Sequence, residues 1–354
     1  MAKIAINGFG RIGRLFFRQV YGEPSRTTFG KKGLDIVAIN DLGDIENLAY
    51  LLKYDSVYRT YDREVSFDRK PNGIGGDLIV DGKKIVVVQE KDLAKLPWGA
   101  MKIDVVVEST GAFESFEKSA PHVNAAGAKR VVISAPAKDD EGVAGGKTIL
   151  AGLSDDAYAT CKISSNGSCT TNGTAPVVAV MHEAIGVQKA FLNTTHGYTA
   201  TQNLVDGPTR GKDFRRGRAA AVNITPSFTG AAISVTRGIP DLNGKFDGVA
   251  LRVPVITGSM AAVTFLAKKK TTKEEVNDAF RKAAASKRWK GVLGVSEDQL
   301  VSSDIIGMSY ATMVDLQYTK VVDGDLVTVF SWYDNEWGYV TTLVDHVEKA
   351  AKSL

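Results

Sequence analysis

The sequence predicts an α/β protein in which a doubly wound parallel sheet is followed by a second, α+β domain built on a mainly antiparallel sheet. Three observations predict it. Short Val- and Ile-rich runs alternate with helix-spaced stretches over the first 150 residues, longer strand-like runs with fewer helices take over from about residue 187, and a glycine-rich turn, "INGFGRIGR", joins the first strand to the first helix.

In chain order, "KIAING" (3–8), "LDIVAIND" (34–41), "IDVVVEST" (103–110) and "KRVVIS" (129–134) are dense in β-branched residues and bounded by Gly, Asp or Ser, the pattern of strands buried on both faces of a parallel sheet. "RIGRLFFRQVYG", "IENLAYLLKY" and "FEKSAPHVNAAG" lie between them with helical spacing. Strand, helix, strand in that order predicts parallel crossover units.

Beyond residue 187, "VQKAFLNTTHGYTA", "DGVALRVPVITGSMAAVTFLAK" and "GDLVTVFSWYD" read as strands and "TKEEVNDAFRKAAAS" as a helix, an α+β pattern. The final "NEWGYVTTLVDHVEKAAKSL" is helical and amphipathic, with Val340, Leu343, Val344 and Val347 on one face. The expected organisation is a dinucleotide-binding domain over 1–168, a catalytic domain over 169–334, and a last helix, 335–354, that packs back on the first domain.

Composition narrows the classes. With 44% hydrophobic and 24% charged residues the chain can bury a sizeable core, and 44 Lys and Arg against 40 Asp and Glu leave a formal charge of +4, too small to require a nucleic-acid partner. No window reaches the roughly 18 uninterrupted apolar residues of a membrane-spanning helix, and no signal-peptide order of charge, apolar stretch and cleavage site opens the chain, so the expectation is a cytoplasmic protein without a membrane partner. Cys161 and Cys169 are the two cysteines, too few for a disulfide framework, which raises the prospect that one thiol is used chemically. No metal-ligand pattern stands out.

"INGFGRIGR" is a G-x-G-x-x-G turn formed by Gly8, Gly10 and Gly13. Gly8 permits the tight turn, Gly10 lets the backbone approach a pyrophosphate, and Gly13 seats the helix against the sheet, so this half reads as a Rossmann-type domain. Asp41 ends the next strand. It lies further on than the usual ~20 residues, and the insertion-like loop 21–33 accounts for the excess. A carboxylate there accepts hydrogen bonds from a ribose diol and repels a 2′-phosphate, which favours NAD over NADP. The competing reading is a plain glycine turn with Asp41 as a helix cap. Arg11 and Arg14, in the first helical turn, face diphosphate or solvent.

Around Cys169 the chain reads "SSNGSCTTNG", followed by a helix pattern. Cys169 therefore sits in the first turn of a helix, where free backbone N–H groups together with an imidazole lower a thiol's pKa, and Ser168 and Thr170 form an anion-binding rim around the sulfur. Of the four histidines, His122, His182 and His346 fall in helical stretches as packing or surface residues, whereas His196 ends a strand in "LNTTHGYTATQ" and is the candidate base. Cys161, in "AYATCKISS", suits a small apolar filler.

These residues, with "LPWG", "ESTGAF", "VVISAP", "RRGRAAA", "TGAA", "LRVPV" and "SWYDNEWGY" in order, resemble the phosphorylating glyceraldehyde-3-phosphate dehydrogenases over nearly the whole chain. The resemblance implies oxidation of glyceraldehyde 3-phosphate with NAD and inorganic phosphate, through a hemithioacetal and then a thioester on Cys169, with His196 as base. It implies oxyanion binding by Ser168, Thr170, Thr199, Arg216, Thr229, Gly230 and Arg252. Cofactor contacts are implied at Gly8, Gly10, Arg11, Ile12, Gly13, Asp41, Lys91 and Ser134, with Asn335 orienting the nicotinamide carboxamide, and the assembly implied is a homotetramer.

The chain departs from the family's usual pattern at Gly167, at Gly173, where a second cysteine is common, at Thr174, at Lys91, where Arg is frequent, and at Gly197, where Ser is usual. A related enzyme acting on erythrose 4-phosphate is the nearest alternative. A nucleic-acid role for "RRGRAAA", "KKK" (268–270) and "KRWK" (287–290) is at most a side activity, because it leaves Cys169, His196 and the surrounding hydroxyls unexplained.

Overall fold

The computed structural model describes residues 1–22, 33–71, 73–209 and 211–354, so most of the loop read at 21–33 lies outside the described residues. The chain forms two compact units, one of Met1–Ile149, Ser154–Gly167 and Val340–Leu354, the other of Leu150–Leu153 and Ser168–Tyr339.

In the first unit the strands are β1 (Ala2–Asn7), β2 (Leu34–Asn40), β3 (Val65–Arg69), β4 (Gly76–Val80), β5 (Lys83–Val88), β6 (Val105–Glu108), β7 (Arg130–Ile133), β8 (Lys147–Thr148) and β9 (Ile163–Ser165). They form one sheet in the order β3-β4-β5-β2-β1-β6-β7-β9-β8. Pairing from β5 through β8 is parallel, as the Val/Ile runs predict; Ile4, Ile6, Val105, Val106 and Val107 are completely buried. The other edge differs: β3-β4-β5 is an antiparallel meander that the alternation of strands and helices did not signal. Strand order reverses at β1, with β2 on one side and β6 on the other, and the crevice above such a reversal is where α/β sheets bind ligands.

Two helices follow the first two strands, α1 (Arg11–Tyr21) and α2 (Ile45–Lys53), the second capped by Asp44. The stretch 116–127 does not make one helix. It breaks into α3 (Phe116–Ser119) and α4 (Pro121–Asn124), because Pro121 lacks an N–H and is tolerated only in a first helical turn.

The histidines of this unit are structural. Trp98 Nε1 donates to His122 Nδ1 at 3.0 Å, which puts the ring's proton on Nε2, where it meets Glu108 at 3.0 Å. His346 contacts Ser164 Oγ at 2.8 Å and Asn166 Oδ1 at 3.1 Å, and burial pushes its pKa down to about 3. Cys161 is buried, as expected of a filler, and burial raises its thiol pKa.

The second unit holds α5 (Cys169–Ala184), β10 (Val187–Gly197), β11 (Thr225–Phe228), α6 (Ala231–Gly238), β12 (Phe246–Val253), β13 (Ser259–Ala267), α7 (Lys273–Ala285), β14 (Leu293–Ser296), β15 (Thr312–Val322), β16 (Leu326–Tyr333) and the start of α8 (Trp337–Lys352). Its sheet runs β11-β12-β10-β13-β16-β15-β14. Four of the pairings are antiparallel, but β10 with β12 and β14 with β15 are parallel. The core joins Val177, Val178 and Met181 of α5 to Val263, Phe265 and Val329 of the sheet, each full burial contributing about 1.5–3 kcal/mol. No helix among the described residues is long and apolar enough to cross a membrane.

Gly173, inside α5, faces the Tyr333 ring so closely that a Cβ there meets ring carbons at 2.9 and 3.0 Å. Replacing a helical glycine by alanine returns about 1 kcal/mol of propensity, whereas overpacking a tight site costs about 1–3 kcal/mol. Gly173→Ala is therefore expected to destabilise the chain by up to about 2 kcal/mol; urea unfolding that shows a gain instead overturns this packing account. The buried His346 supplies a pH test. An unfolded histidine titrates near 6.5, so between that value and about 3 the unfolded chain binds the extra proton and stability falls as pH drops. His346→Gln is expected to flatten the stability profile over that interval, as measured by urea midpoints at stepped pH.

Candidate active site

The first unit contributes a crevice at the end of β1. Gly8 holds φ +93°, and a Cβ there comes within 2.6 Å of the Thr110 backbone nitrogen, so both conformation and space require glycine. Gly13 is hemmed in by the Gly8 carbonyl and the Ile6 side chain, while Gly10 has open space before it, as close approach of a pyrophosphate needs. Gly10 caps α1 without a side-chain bond, and the first turn carries no acid, which leaves its N–H groups and positive dipole end for an anion.

A cavity of about 410 Å³ beside this turn is lined by Gly8, Gly10, Asp41, Lys91, Thr110 and Phe113 among others. Asp41 is held there by the N–H groups of Phe9 at 2.7 Å and Gly43 at 2.8 Å, keeping lone pairs for further donors. A smaller cavity of about 140 Å³ is lined by Ile12, Ser134 and Gly111. Shape, glycines, free N–H groups and a fixed carboxylate fit a dinucleotide. Arg11 needs correction: its guanidinium pairs with Asp55 and lies over the Tyr58 ring, so its side chain is committed within the protein instead of facing diphosphate or solvent. Arg14 turns back to the Phe9 carbonyl at 2.7 Å instead of facing diphosphate or solvent.

The second unit contributes the thiol. Cys169 is the first residue of α5, and Ser168, with extended backbone, caps the helix by accepting the Thr171 N–H at 3.0 Å. The sulfur lies 3.3 Å from His196 Nε2 at the end of β10. Parallel pairing of β10 with β12 places Arg252 directly opposite His196, and Arg252 Nη1 reaches His196 Nδ1 at 2.6 Å.

From there a chain of contacts runs outward. β11 pairs with β12, Ser227 on β11 accepts from Arg216 Nη2 at 2.6 Å, Arg216 Nη1 donates to Thr201 at 2.8 Å, and the Thr201 hydroxyl meets Thr199 at 3.0 Å. Thr229 accepts from the Ala231 N–H at 3.2 Å and Gly230 caps α6, both just beyond β11. The Ser168 and Thr170 hydroxyls are committed within the protein, to Thr171 at 2.8 Å and to Tyr333 at 3.0 Å, so the rim they offer at the sulfur rests as much on backbone N–H groups as on side chains.

Electrostatics here depart from the sequence reading. Burial and the neighbouring Arg252 charge push His196 down to about 3, so the ring is neutral. Burial raises the Cys169 thiol, although Arg252, the Thr170 hydroxyl and the N–H groups of Thr170 and Cys169 all pull it down. The expected net lowering is therefore overturned: desolvation of a thiolate outweighs the helix start. Arg252 Nε is buried without a partner, and among the described residues no carboxylate forms an ion pair with Arg252. Arg252 Nη1 reaches His196 Nδ1 and the Gly197 carbonyl, which leaves Nε as a buried donor to be met, so this corner fits an oxyanion.

One participant had no spacing signal. Tyr333, at the end of β16, is buried with its hydroxyl 2.7 Å from Thr194 and 3.0 Å from Thr170, and its ring stands edge-on to His196 at 6.0 Å. It braces both sides of the thiol pair. Asn335 receives hydroxyls from Ser259 at 2.8 Å and Thr257 at 3.1 Å on Oδ1, which turns its amide N–H₂ into the free donor, as contact with a carboxamide oxygen requires.

Comparison with known proteins agrees with this geometry. Residues 2–116 match the family model described as glyceraldehyde 3-phosphate dehydrogenase, NAD binding domain, and residues 168–335 match that described as glyceraldehyde 3-phosphate dehydrogenase, C-terminal domain. The chain is similar to the glyceraldehyde-3-phosphate dehydrogenases of Borreliella burgdorferi (45% identical, covering 99% of this chain and 100% of that one) and Clostridium pasteurianum (46%, 99% of each). It is also 44% identical to that of Streptomyces coelicolor, over 97% of this chain and 96% of the relative. With matches across nearly its full length, the chain belongs to the glyceraldehyde-3-phosphate dehydrogenase family of NAD-dependent oxidoreductases.

Proposed function

We propose that this enzyme oxidises glyceraldehyde 3-phosphate in the presence of inorganic phosphate to 1,3-bisphosphoglycerate, with Cys169 as nucleophile and His196 as base. The observation that carries the assignment of roles is the thiol at the first position of α5, 3.3 Å from a neutral imidazole and beside a guanidinium whose Nε is buried without a partner.

As Cys169 Sγ bonds to the aldehyde carbon, its proton passes to His196 Nε2, so the thiol is activated during attack and not ahead of it. The new oxyanion is stabilised by the Cys169 backbone N–H and the imidazolium. NAD, when bound, supplies the hydride acceptor. The imidazolium returns its proton to the oxyanion, giving the hemithioacetal hydroxyl, and the neutral ring takes that proton back as the hemithioacetal becomes a thioester. A phosphate oxygen then bonds to the thioester carbon, the sulfur leaves with the C–S electron pair, and the thiol is reprotonated. Arg252 and Arg216 hold oxyanions, joined by Thr199, Thr229, the Gly230 N–H and the Ser168–Thr170 rim. In the first unit, Gly8, Gly10, Gly13, Ile12, Asp41, Lys91 and Ser134 shape the dinucleotide site, and Asn335 holds the carboxamide.

The same reading includes a cytoplasmic homotetramer. Leu204, Val205, Phe214, Val222, Ile224 and Phe228 are all more than two-thirds exposed along one segment, and this density of outward apolar residues supports an assembly through that segment. The basic runs pair with nearby acids: Arg215 with Asp213, Arg218 with Asp206, Lys270 with Asp325 and Arg288 with Glu183. For the runs at 268–270 and 287–290 this favours a solubility role over a nucleic-acid one.

NADH formation with glyceraldehyde 3-phosphate is expected to require inorganic phosphate, to be lost in Cys169→Ser, and to fall about 10²–10⁴-fold in His196→Asn. Phosphate-independent turnover removes the acyl-phosphate product from the proposal. Asp41→Ser is expected to raise the NADP-to-NAD ratio of kcat/KM by about tenfold or more, through loss of a repulsive charge; an unchanged ratio assigns cofactor choice elsewhere.

A further inference from the structure

Three adjacent strands of the first sheet end in buried polar residues. Asn40 closes β2, Asn7 closes β1 and Glu108 closes β6, and the parallel register makes Asn7 the direct neighbour of both others. Asn7 and Asn40 line the larger cavity of the dinucleotide crevice, and Glu108 lines the smaller one. Their hydrogen bonds run in one direction. The Glu90 N–H can only donate, and it donates to Asn40 Oδ1 at 2.9 Å. Asn40 therefore gives its N–H₂ to Asn7 Oδ1 at 2.6 Å, and Asn7 gives its own to Glu108 Oε2 at 2.5 Å.

The same carboxylate collects three more donors. Because Trp98 Nε1 holds His122 Nδ1 as an acceptor, the ring's proton lies on Nε2, 3.0 Å from Glu108 Oε2. Glu108 Oε1 accepts from the Thr110 N–H at 2.9 Å and from the Thr110 hydroxyl at 2.5 Å. Four donors thus converge on two oxygens, and only a carboxylate carrying no proton offers them four acceptor positions.

We propose that Glu108 is a positioning residue for the dinucleotide, acting through Thr110 and Asn7 to fix the wall of the crevice. This rests on the reading of that crevice as the NAD site. The segment after β6 forms a wall common to both cavities: Thr110, Ala112 and Phe113 line the larger, Gly111 and Phe113 the smaller. Thr110 carries the position of the carboxylate into this wall, since its hydroxyl donates to Glu108 while accepting the Ala112 N–H at 3.0 Å. Ser109 Oγ ties the segment to the Gly8 carbonyl at 2.7 Å, and Asn7 precedes that glycine. One buried carboxylate therefore sets the glycine turn and the wall packed against it relative to each other, the kind of hydrogen-bonded support a precise binding site needs.

Glu108→Gln keeps the size of the side chain and breaks its pattern. The new N–H₂ faces either the Thr110 N–H or the donors of Asn7 and His122, which Asn40 and Trp98 hold in place, so a fixed donor loses its acceptor in both orientations. Calorimetric titration of the full-length variant with NAD is expected to show binding weakened about tenfold, with KM rising far more for NAD than for glyceraldehyde 3-phosphate. Thr110→Val, which removes the hydroxyl link, is expected to weaken NAD binding about fivefold, and Thr110→Ser, which keeps the hydroxyl, to recover most of that loss. Should Glu108→Gln fail to fold, the two Thr110 variants decide. A lowered urea midpoint with unchanged NAD binding reduces Glu108 to packing and overturns the proposal, as does an equal loss in Thr110→Ser and Thr110→Val. Asp41→Ser separates the two readings. Weaker NAD binding there with unchanged binding in Glu108→Gln and Thr110→Val defeats the positioning role alone, whereas unchanged binding in all three moves the NAD site away from this crevice.

Discussion

The parallel pairing of β10 with β12 is the constraint on which the chemistry of the second unit depends. In a sheet whose other pairings are mostly antiparallel, it brings two strands to their C-terminal ends together, and those ends carry His196 and Arg252. A one-residue slip turns both side chains to the opposite face. The flanking pairings with β13 and β11 hold that register from both sides, and α5 delivers Cys169 to the same place. Catalytic geometry is thus built from backbone ladders, with side chains only at its last step.

Electrostatics follow from that placement. Burial, with a cation alongside, keeps the imidazole neutral, and the same burial raises the thiol's pKa. Both groups wait for charge that the substrates bring, an anion for the guanidiniums and a carbonyl for the sulfur. Leaving Arg252 Nε buried without a partner costs stability, a recurrent property of sites whose local interactions serve a ligand more than the fold.

Much of this was legible in the residues. β-Branched runs bounded by Gly, Asp and Ser foretold β1, β2, β6 and β7, since strands buried on both faces carry little else. Gly8, Gly10 and Gly13 announced the dinucleotide turn, and hydroxyl residues around Cys169 announced a helix start. Other features were not legible because they depend on partners distant in sequence. The β3-β4-β5 meander consists of strands of only five or six residues, of which β3 is polar and largely exposed, and its antiparallel pairing is not signalled by an alternation of strands with helices. Arg11 was read from its position in the first helical turn, yet Asp55, 44 residues on, captures it. Desolvation of Cys169 and the bracing by Tyr333 arise only once the sheet and α5 close around the sulfur.

The first unit is completed by the last residues of the sequence. His346 fills a buried place beside Ser164 and Asn166, Thr342 accepts from Asn166 at 3.0 Å, and the Ser353 carbonyl accepts from Arg130 at 2.9 Å, contacts spanning 176 to 223 positions. During synthesis, therefore, the domain made first cannot be the domain finished first. Its sheet emerges with an open apolar and polar cleft that stays unfilled while the whole second unit is translated, at about 5–20 residues per second. Over that interval the buried groups of Ser164, Asn166 and Arg130 lack the partners that the C-terminal helix brings them.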